Sequence, residues 1–243
     1  MTAKTSVISN LAIAGVLFVL SLAIFTTDLT NVYVTVAAPV YSGDKNQKNV
    51  SLMFYMHNQS VDPGNNTYTE GITAVLNEKG VGATFFVTGM WAMQNPNLVK
   101  SLSDAGFELG NGGYSGRDLK KMSTAEQKKE ISATHQLVRD LTGVDIKLFM
   151  PPMASFSKTT LKVAEGMGYV TVMYGRETTV VSSESVDVAS GAQSITEKAT
   201  QNLKNGDLVL LTPTEYTLNA LPNIIDFYLS QGFSVLSVGA NIK

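Results

Sequence analysis

A chain of 243 residues that is 44% hydrophobic and 16% charged can bury one full α/β core, and no low-complexity tract divides it into two small domains. The formal net charge of −2 and the lack of any dense Lys/Arg run leave no electrostatic footprint for nucleic acid, which is excluded as an expected partner. With no cysteine, disulfides, thiolate metal sites and a cysteine nucleophile are also excluded, while an exported and a cytosolic setting both stay open.

In chain order, the first element is Leu11–Phe25, LAIAGVLFVLSLAIF, an uncharged run that reaches the lower end of spanning length when extended to Thr27. Residues 1–27 are therefore expected to form an N-terminal hydrophobic helix, either a membrane anchor or a signal segment. The small-x-small pattern at Thr35-Val36-Ala37 lies far beyond the apolar run, which favours an uncleaved anchor over a secreted product. Lys4 precedes the run and no Lys or Arg follows until Lys45, so the domain is expected on the extracytoplasmic side, with the membrane as first partner. Residues 28–49 read as a tether, and LTNVYVTVAAPVY within it as a β-like stretch lying on the domain.

From residue 50 to 243 strand and helix patterns alternate. Val50, Leu52 and Phe54 alternate with Ser51 and Met53 in a strand that ends in Tyr55, Met56, His57 and Asn58, and ligands sit at this end of a strand in parallel α/β proteins. The pattern then predicts helix Thr67–Lys79, strand Ala83–Thr88, helix Asn95–Ala105, strand Phe107–Asn111, helix Thr124–Thr142, strand Lys147–Phe149 and helix Lys158–Met167. Strand Tyr169–Tyr174, a rim loop Glu177–Ala192, helix Ser194–Asn205, strand Asp207–Thr212, helix Leu218–Gln231 and strand Phe233–Ser237 complete it. The fold class is α/β: about seven parallel strands alternating with helices, which suggest a barrel or a strongly curved open sheet. His135 lies on a helix stripe and reads as structural, and Glu108, inside an apolar strand, as a paired or capping carboxylate.

VSLMFYMHN, GVGATFFVTGMWAMQNPNLVKSLSDAGFELGNGGYSGRDLKKMS, MPPMAS, GMGYVTVMY and NGDLVLLT follow one another in an order and spacing that resemble the polysaccharide deacetylases of carbohydrate esterase family 4. The resemblance implies a distorted (β/α) barrel of about seven parallel strands and removal of N-acetyl groups from envelope glycans, with a metal-bound water attacking the amide, a carboxylate as base and an imidazole as acid. It places the family's paired aspartates at Tyr55 and Met56, its two histidine ligands at Gly112 and Gly116, its arginine at Met150 and its acid histidine at Thr212. The aromatic-glycine pair after Pro151-Pro152 is Met153-Ala154, and the tryptophan position is Tyr174.

The catalytic positions Tyr55, Met150 and Thr212 and the metal positions Met56, Gly112 and Gly116 thus lack the required donors, so no metal or other cofactor is expected. Tyr55, Met56, His57, Asn58, Asn111, Tyr114, Pro151, Pro152, Met153, Tyr174 and Glu177 are the candidate lining of the former cleft. The expected function is a catalytically inactive, membrane-tethered protein that binds envelope glycan or a protein partner. Two alternatives stay open: an active divergent deacetylase or hydrolase rebuilt around His57, and a structural subunit of a membrane complex.

Overall fold

The first strand shows why the sheet is parallel and buried. Val50, Leu52, Phe54 and Met56 point to one side of it and Ser51, Met53 and Tyr55 to the other, and all but Tyr55 are buried. Strands covered on both faces are the mark of a parallel sheet between helices, or of one curled upon itself. A computed structural model describes residues 38–57, 67–178 and 187–243.

In chain order these residues form β1 (Asn49–Met56), α1 (Thr67–Glu78), β2 (Ala83–Val87), α2 (Gly89–Gln94), α3 (Pro96–Asp104), β3 (Glu108–Asn111), α4 (Thr124–Thr142) and β4 (Leu148–Phe149). There follow α5 (Lys158–Gly166), β5 (Val170–Thr171), β6 (Arg176–Glu177), α6 (Val188–Thr200), β7 (Asp207–Leu211), α7 (Glu215–Ser230), β8 (Ser234–Val235) and α8 (Val238–Asn241). The strands run in the order β5-β4-β3-β2-β1-β7-β6, all parallel, and β8 pairs with the start of β1. This is the expected α/β architecture of about seven parallel strands.

The sheet curls because its inner face needs cover. Met53, Phe86, Leu148, Met150, Val172, Leu208 and Leu210 come from opposite parts of the strand order yet form one apolar cluster with Val238. Residues 40–43 run between the two sides: Val40 N donates to Thr171 O at 2.9 Å, Met173 N to Val40 O at 2.7 Å, and Gly43 N to Gly206 O at 2.7 Å. The outer face carries the larger core, where Leu52, Phe54, Phe85 and Val87 meet Ile72, Leu76, Val99, Ile131, Val138, Leu221 and Ile225 from the helices.

Glu108 behaves as a capping carboxylate at the N-terminal end of the strands. It accepts from Thr84 Oγ1 at 2.7 Å and from Gly239 N at 2.9 Å, at the start of α8. Helix α4 begins at a capping box, with Ser123 and Glu126 bonded reciprocally, and matches its predicted span. His135 is held on that helix, its Nδ1 2.5 Å from Tyr169 Oη and its Nε2 3.0 Å from Asp145.

Several elements differ from the sequence pattern. The helix predicted over Asn95–Ala105 is α3, started by Pro96, and a short helix absent from the pattern, α2, precedes it because Thr88 caps the turn that begins at Gly89. The rim loop predicted over Glu177–Ala192 is shorter, since Asp187 accepts from Ser190 N at 2.9 Å and starts α6 at Val188. β5 is two residues rather than six, because Met173 pairs with Val40 and leaves the β4 edge. The predicted hydrophobic helix at 1–27 and Asn58 lie outside the described residues. Among those described, no helix is long and apolar enough to cross a membrane.

Candidate functional site

The C-terminal ends of β1 to β4 and β7 surround an open hollow in two connected parts. The larger, about 800 Å³, is lined by Tyr55, His57, Thr88, Met90, Ser115, Gly116, Arg117, Asp118, Lys121, Met122, Glu126 and Met153. The smaller, about 280 Å³, is lined by Tyr55, His57, Met150, Pro151, Met153, Ala154, Tyr174, Glu177, Leu210 and Thr212. Tyr55, His57 and Met153 belong to both parts and form the divide between them.

Tyr55 is the centre of the arrangement. Its hydroxyl donates to Gly112 O at 2.7 Å, and a Cβ added at Gly112 would come 3.1 Å from its ring. The phenol therefore fills the space in front of Gly112, where the resemblance places the first histidine ligand. Burial, reinforced by the negative charge of Glu130, pushes the Tyr55 hydroxyl far above its ordinary pKa, so it stays protonated and cannot serve as a base near neutral pH. Burial also holds the His57 imidazole below its usual value, so it is neutral at pH 7, with its ring 5.7 Å from that of Tyr55.

Of the other candidates, Pro151, Met153, Tyr174 and Glu177 line the smaller part, and Tyr174 Oη donates to Glu177 Oε2 at 3.1 Å. Four expected lining residues are placed elsewhere. Met56 is 1% exposed within the helix-facing core, because strand alternation turns it away from Tyr55. Asn111 is buried, donating to Ile131 O and Tyr169 Oη and accepting from Gly113 N. Pro152 is buried against Gly113, and the Tyr114 ring packs on Gly89. Met150, Thr212 and Gly116 line the hollow, whereas Gly112 is buried behind the Tyr55 phenol.

The charged wall of the larger part escaped the sequence reading as a unit. Its organiser is Glu130, one turn and more into α4, whose Oε2 accepts from Tyr114 N at 3.0 Å, Ser115 N at 2.7 Å and Ser115 Oγ at 2.9 Å. Asp118 caps the short 3-10 turn Leu119–Lys121 by accepting from Lys120 N, a bond that holds its carboxyl below the usual range. The capping-box spacing Ser123–Glu126 was the signal available in the sequence.

Strain marks the divide. Met153 (φ 56°) and Ala154 (φ 52°) both sit in the left-handed region after the Pro-Pro pair, and Met153 is 74% exposed. The resemblance gives the family a glycine at position 154, so the backbone keeps a conformation whose tolerant residue has been replaced. Ala154→Gly is expected to raise stability by about 0.5–1 kcal/mol, measured as a shift in the urea midpoint. An unchanged or lower midpoint would mean that Ala154 carries no strain.

Residues 42–172 match the family model for polysaccharide deacetylase, and the chain belongs to that family. It is 27% identical over 201 residues to the uncharacterized protein YlxY of Bacillus subtilis, covering 82% of this chain and 59% of that one. It is 32% identical over 136 residues to the peptidoglycan-N-acetylmuramic acid deacetylase PdaA of the same organism, covering 55% of this chain and 49% of PdaA. Among solved structures it superposes with a TM-score of 0.76 on BA3943 of Bacillus anthracis, described as a pseudoenzyme of carbohydrate esterase family 4, at 26% identity over 85% of this chain and 69% of that one. A mutant of BA3943, described as having restored enzymatic activity, superposes equally well.

The metal implied by the family does not fit the residues at the matching positions. Met56 faces the core, Gly112 and Gly116 offer no side chain, and the Tyr55 hydroxyl is spent on a carbonyl. Among the described residues no three His, Cys, Asp or Glu side chains gather closely enough to hold an ion.

Proposed function

We propose that this chain is a catalytically silent polysaccharide deacetylase relative that retains an open cleft for envelope glycan and is held at the membrane by residues 1–27, with its domain outside. The observation that carries this reading is the Tyr55 phenol, protonated and bonded to Gly112 O where a metal ligand and a base would act. The open two-part hollow supports retained binding, because it offers Tyr174 and Met153 as faces for a sugar ring and Arg117, Asp118 and Glu177 as polar partners. The likeness to PdaA and to the BA3943 pseudoenzyme supports peptidoglycan as the glycan class.

The test joins three measurements on the full chain: zinc content by elemental analysis, acetate release from chitooligosaccharide and peptidoglycan, and retention on insoluble peptidoglycan. No stoichiometric zinc and no acetate are expected, with retention that Tyr174→Ala weakens roughly fivefold, the equivalent of about 1 kcal/mol of ring stacking. Turnover that is lost in His57→Ala would instead establish a rebuilt active site. Failure to be retained on peptidoglycan would leave the inactive reading standing and remove the glycan.

A further inference from the structure

A second concave surface lies outside the cleft, between α4 and α5. It encloses about 530 Å³ and is lined by Thr124, Lys128, Lys129 and Ser132 from α4 and by Thr159 and Lys162 from α5, with Val163, Gly166 and Met167 completing the lining. We propose that this groove binds a phosphate-bearing polyanion chain.

The charge arrangement carries the proposal. Thr124, Lys128 and Ser132 are spaced by four and so fall along one face of α4, with Lys129 beside them. Thr159 and Lys162 are spaced by three on the facing side of α5, so three ammonium groups and three hydroxyls border one trough. None of the three lysines forms an ion pair among the described residues. No carboxylate lines the groove. The two nearest acids along α4 are spent elsewhere, Glu126 on the Ser123 cap and Glu130 on the Tyr114–Ser115 loop. In a chain of net charge −2 this is a local concentration of one sign, which attracts anions and raises their encounter rate.

The shape and lining select the kind of anion. Lysine meets phosphate as a point charge without demanding planar geometry, and the Thr124 and Thr159 hydroxyls add donors at the same oxygens, while Ser132 Oγ donates to Lys129 O at 3.3 Å. The lining contains no aromatic side chain, so neither nucleic-acid bases nor sugar rings have a face to stack upon. A trough between two helices accommodates a flexible chain, whereas a flat bilayer would touch only its rims. The groove and the cleft are separated by the first turn of α4, with Thr124 in one and Glu126 in the other. The proposal does not depend on what the cleft binds.

The experiment measures binding of fluorescently labelled linear polyphosphate to the full chain by anisotropy at low and moderate salt. Lys128→Glu/Lys129→Glu/Lys162→Glu is expected to weaken binding by about tenfold or more and to flatten its salt dependence. Lys45→Glu/Lys100→Glu/Lys204→Glu, three exposed lysines outside the groove, serves as the charge-matched control and is expected to change binding by less than about twofold. An unchanged melting temperature of the triple variant shows that the groove substitutions leave the fold intact, as surface changes normally do. Absence of polyphosphate binding, or equal losses in each charge reversal, would overturn the proposal. Sedimentation with phosphatidylglycerol vesicles but no binding of the soluble polymer would overturn it too, in favour of a membrane surface.

Discussion

Glu130→Ala is expected to cost about 3 kcal/mol of stability and to release the charged wall of the cleft. The Glu130 carboxylate is buried, and it is the shared acceptor for Tyr114 N, Ser115 N and Ser115 Oγ at 3.0, 2.7 and 2.9 Å. Removing it leaves two main-chain donors without that partner, and bonds to a charged acceptor are each worth about 1.5–3 kcal/mol. The exposed Arg117 guanidinium, 3.7 Å from Oε1, adds little by comparison because water screens it. Glu130→Gln keeps an acceptor oxygen but not the charge, and about half the loss is expected. Urea unfolding reads the energy. Hydrogen exchange reads its location, since the amides of Tyr114 and Ser115 should lose protection while those of β1 and β2 keep theirs. Uniform loss of protection across the sheet would show that Glu130 holds the whole fold rather than the loop.

How much of this was legible in the sequence depends on the range of the forces involved. Strand alternation at Val50–Phe54, the capping box at Ser123–Glu126 and the glycine-terminated helix α4 are local, and local patterns fix their elements directly. The extra helix Gly89–Gln94 was signalled only by its Thr88 cap, because its six residues are too few to show an apolar period. The cleft was harder to read. Motif resemblance located Tyr55, Met153 and Tyr174 at its wall, yet it placed Met56 and Asn111 there as well. Strand register rather than sequence neighbourhood decides which side chain at the end of a strand faces the hollow, and it turns Met56 into the core. Glu130 is 15 residues from the loop it organises, and no sequence periodicity connects them. The phenol in front of Gly112 is likewise a long-range contact, 57 residues apart in the chain.

Restoring the three metal positions together with the base position, as Met56→Asp, Gly112→His, Gly116→His and Tyr55→Asp, is expected to yield a protein that binds zinc yet stays less stable than the parent. Met56→Asp sets an unpaired carboxylate at a site that is 1% exposed among apolar side chains, which costs about 3 kcal/mol or more. Gly116 has φ +73°, so a histidine there is strained by about 1–2 kcal/mol even though no atom lies within 4 Å of its added Cβ. At Gly112 the Tyr55 ring vanishes in the variant, but Val87 C and O remain 3.1 Å from the new Cβ. Zinc at one hundred times its Kd returns about 2.7 kcal/mol, less than Met56→Asp and Gly116→His take away together. Calorimetry with and without zinc reads both terms. The metal-free variant should melt well below the parent, rise on zinc addition and fall short of full recovery, while Tyr55→Asp alone should show no zinc response. If Met56→Asp by itself left the melting temperature unchanged, the side chain at 56 would have to reach the cleft, and the loss of the metal site would be a matter of residue type alone. If it destabilises as expected, lost chemistry and altered packing at the end of β1 are one event, and reactivation has to repack the core beneath the cleft as well as refill its surface.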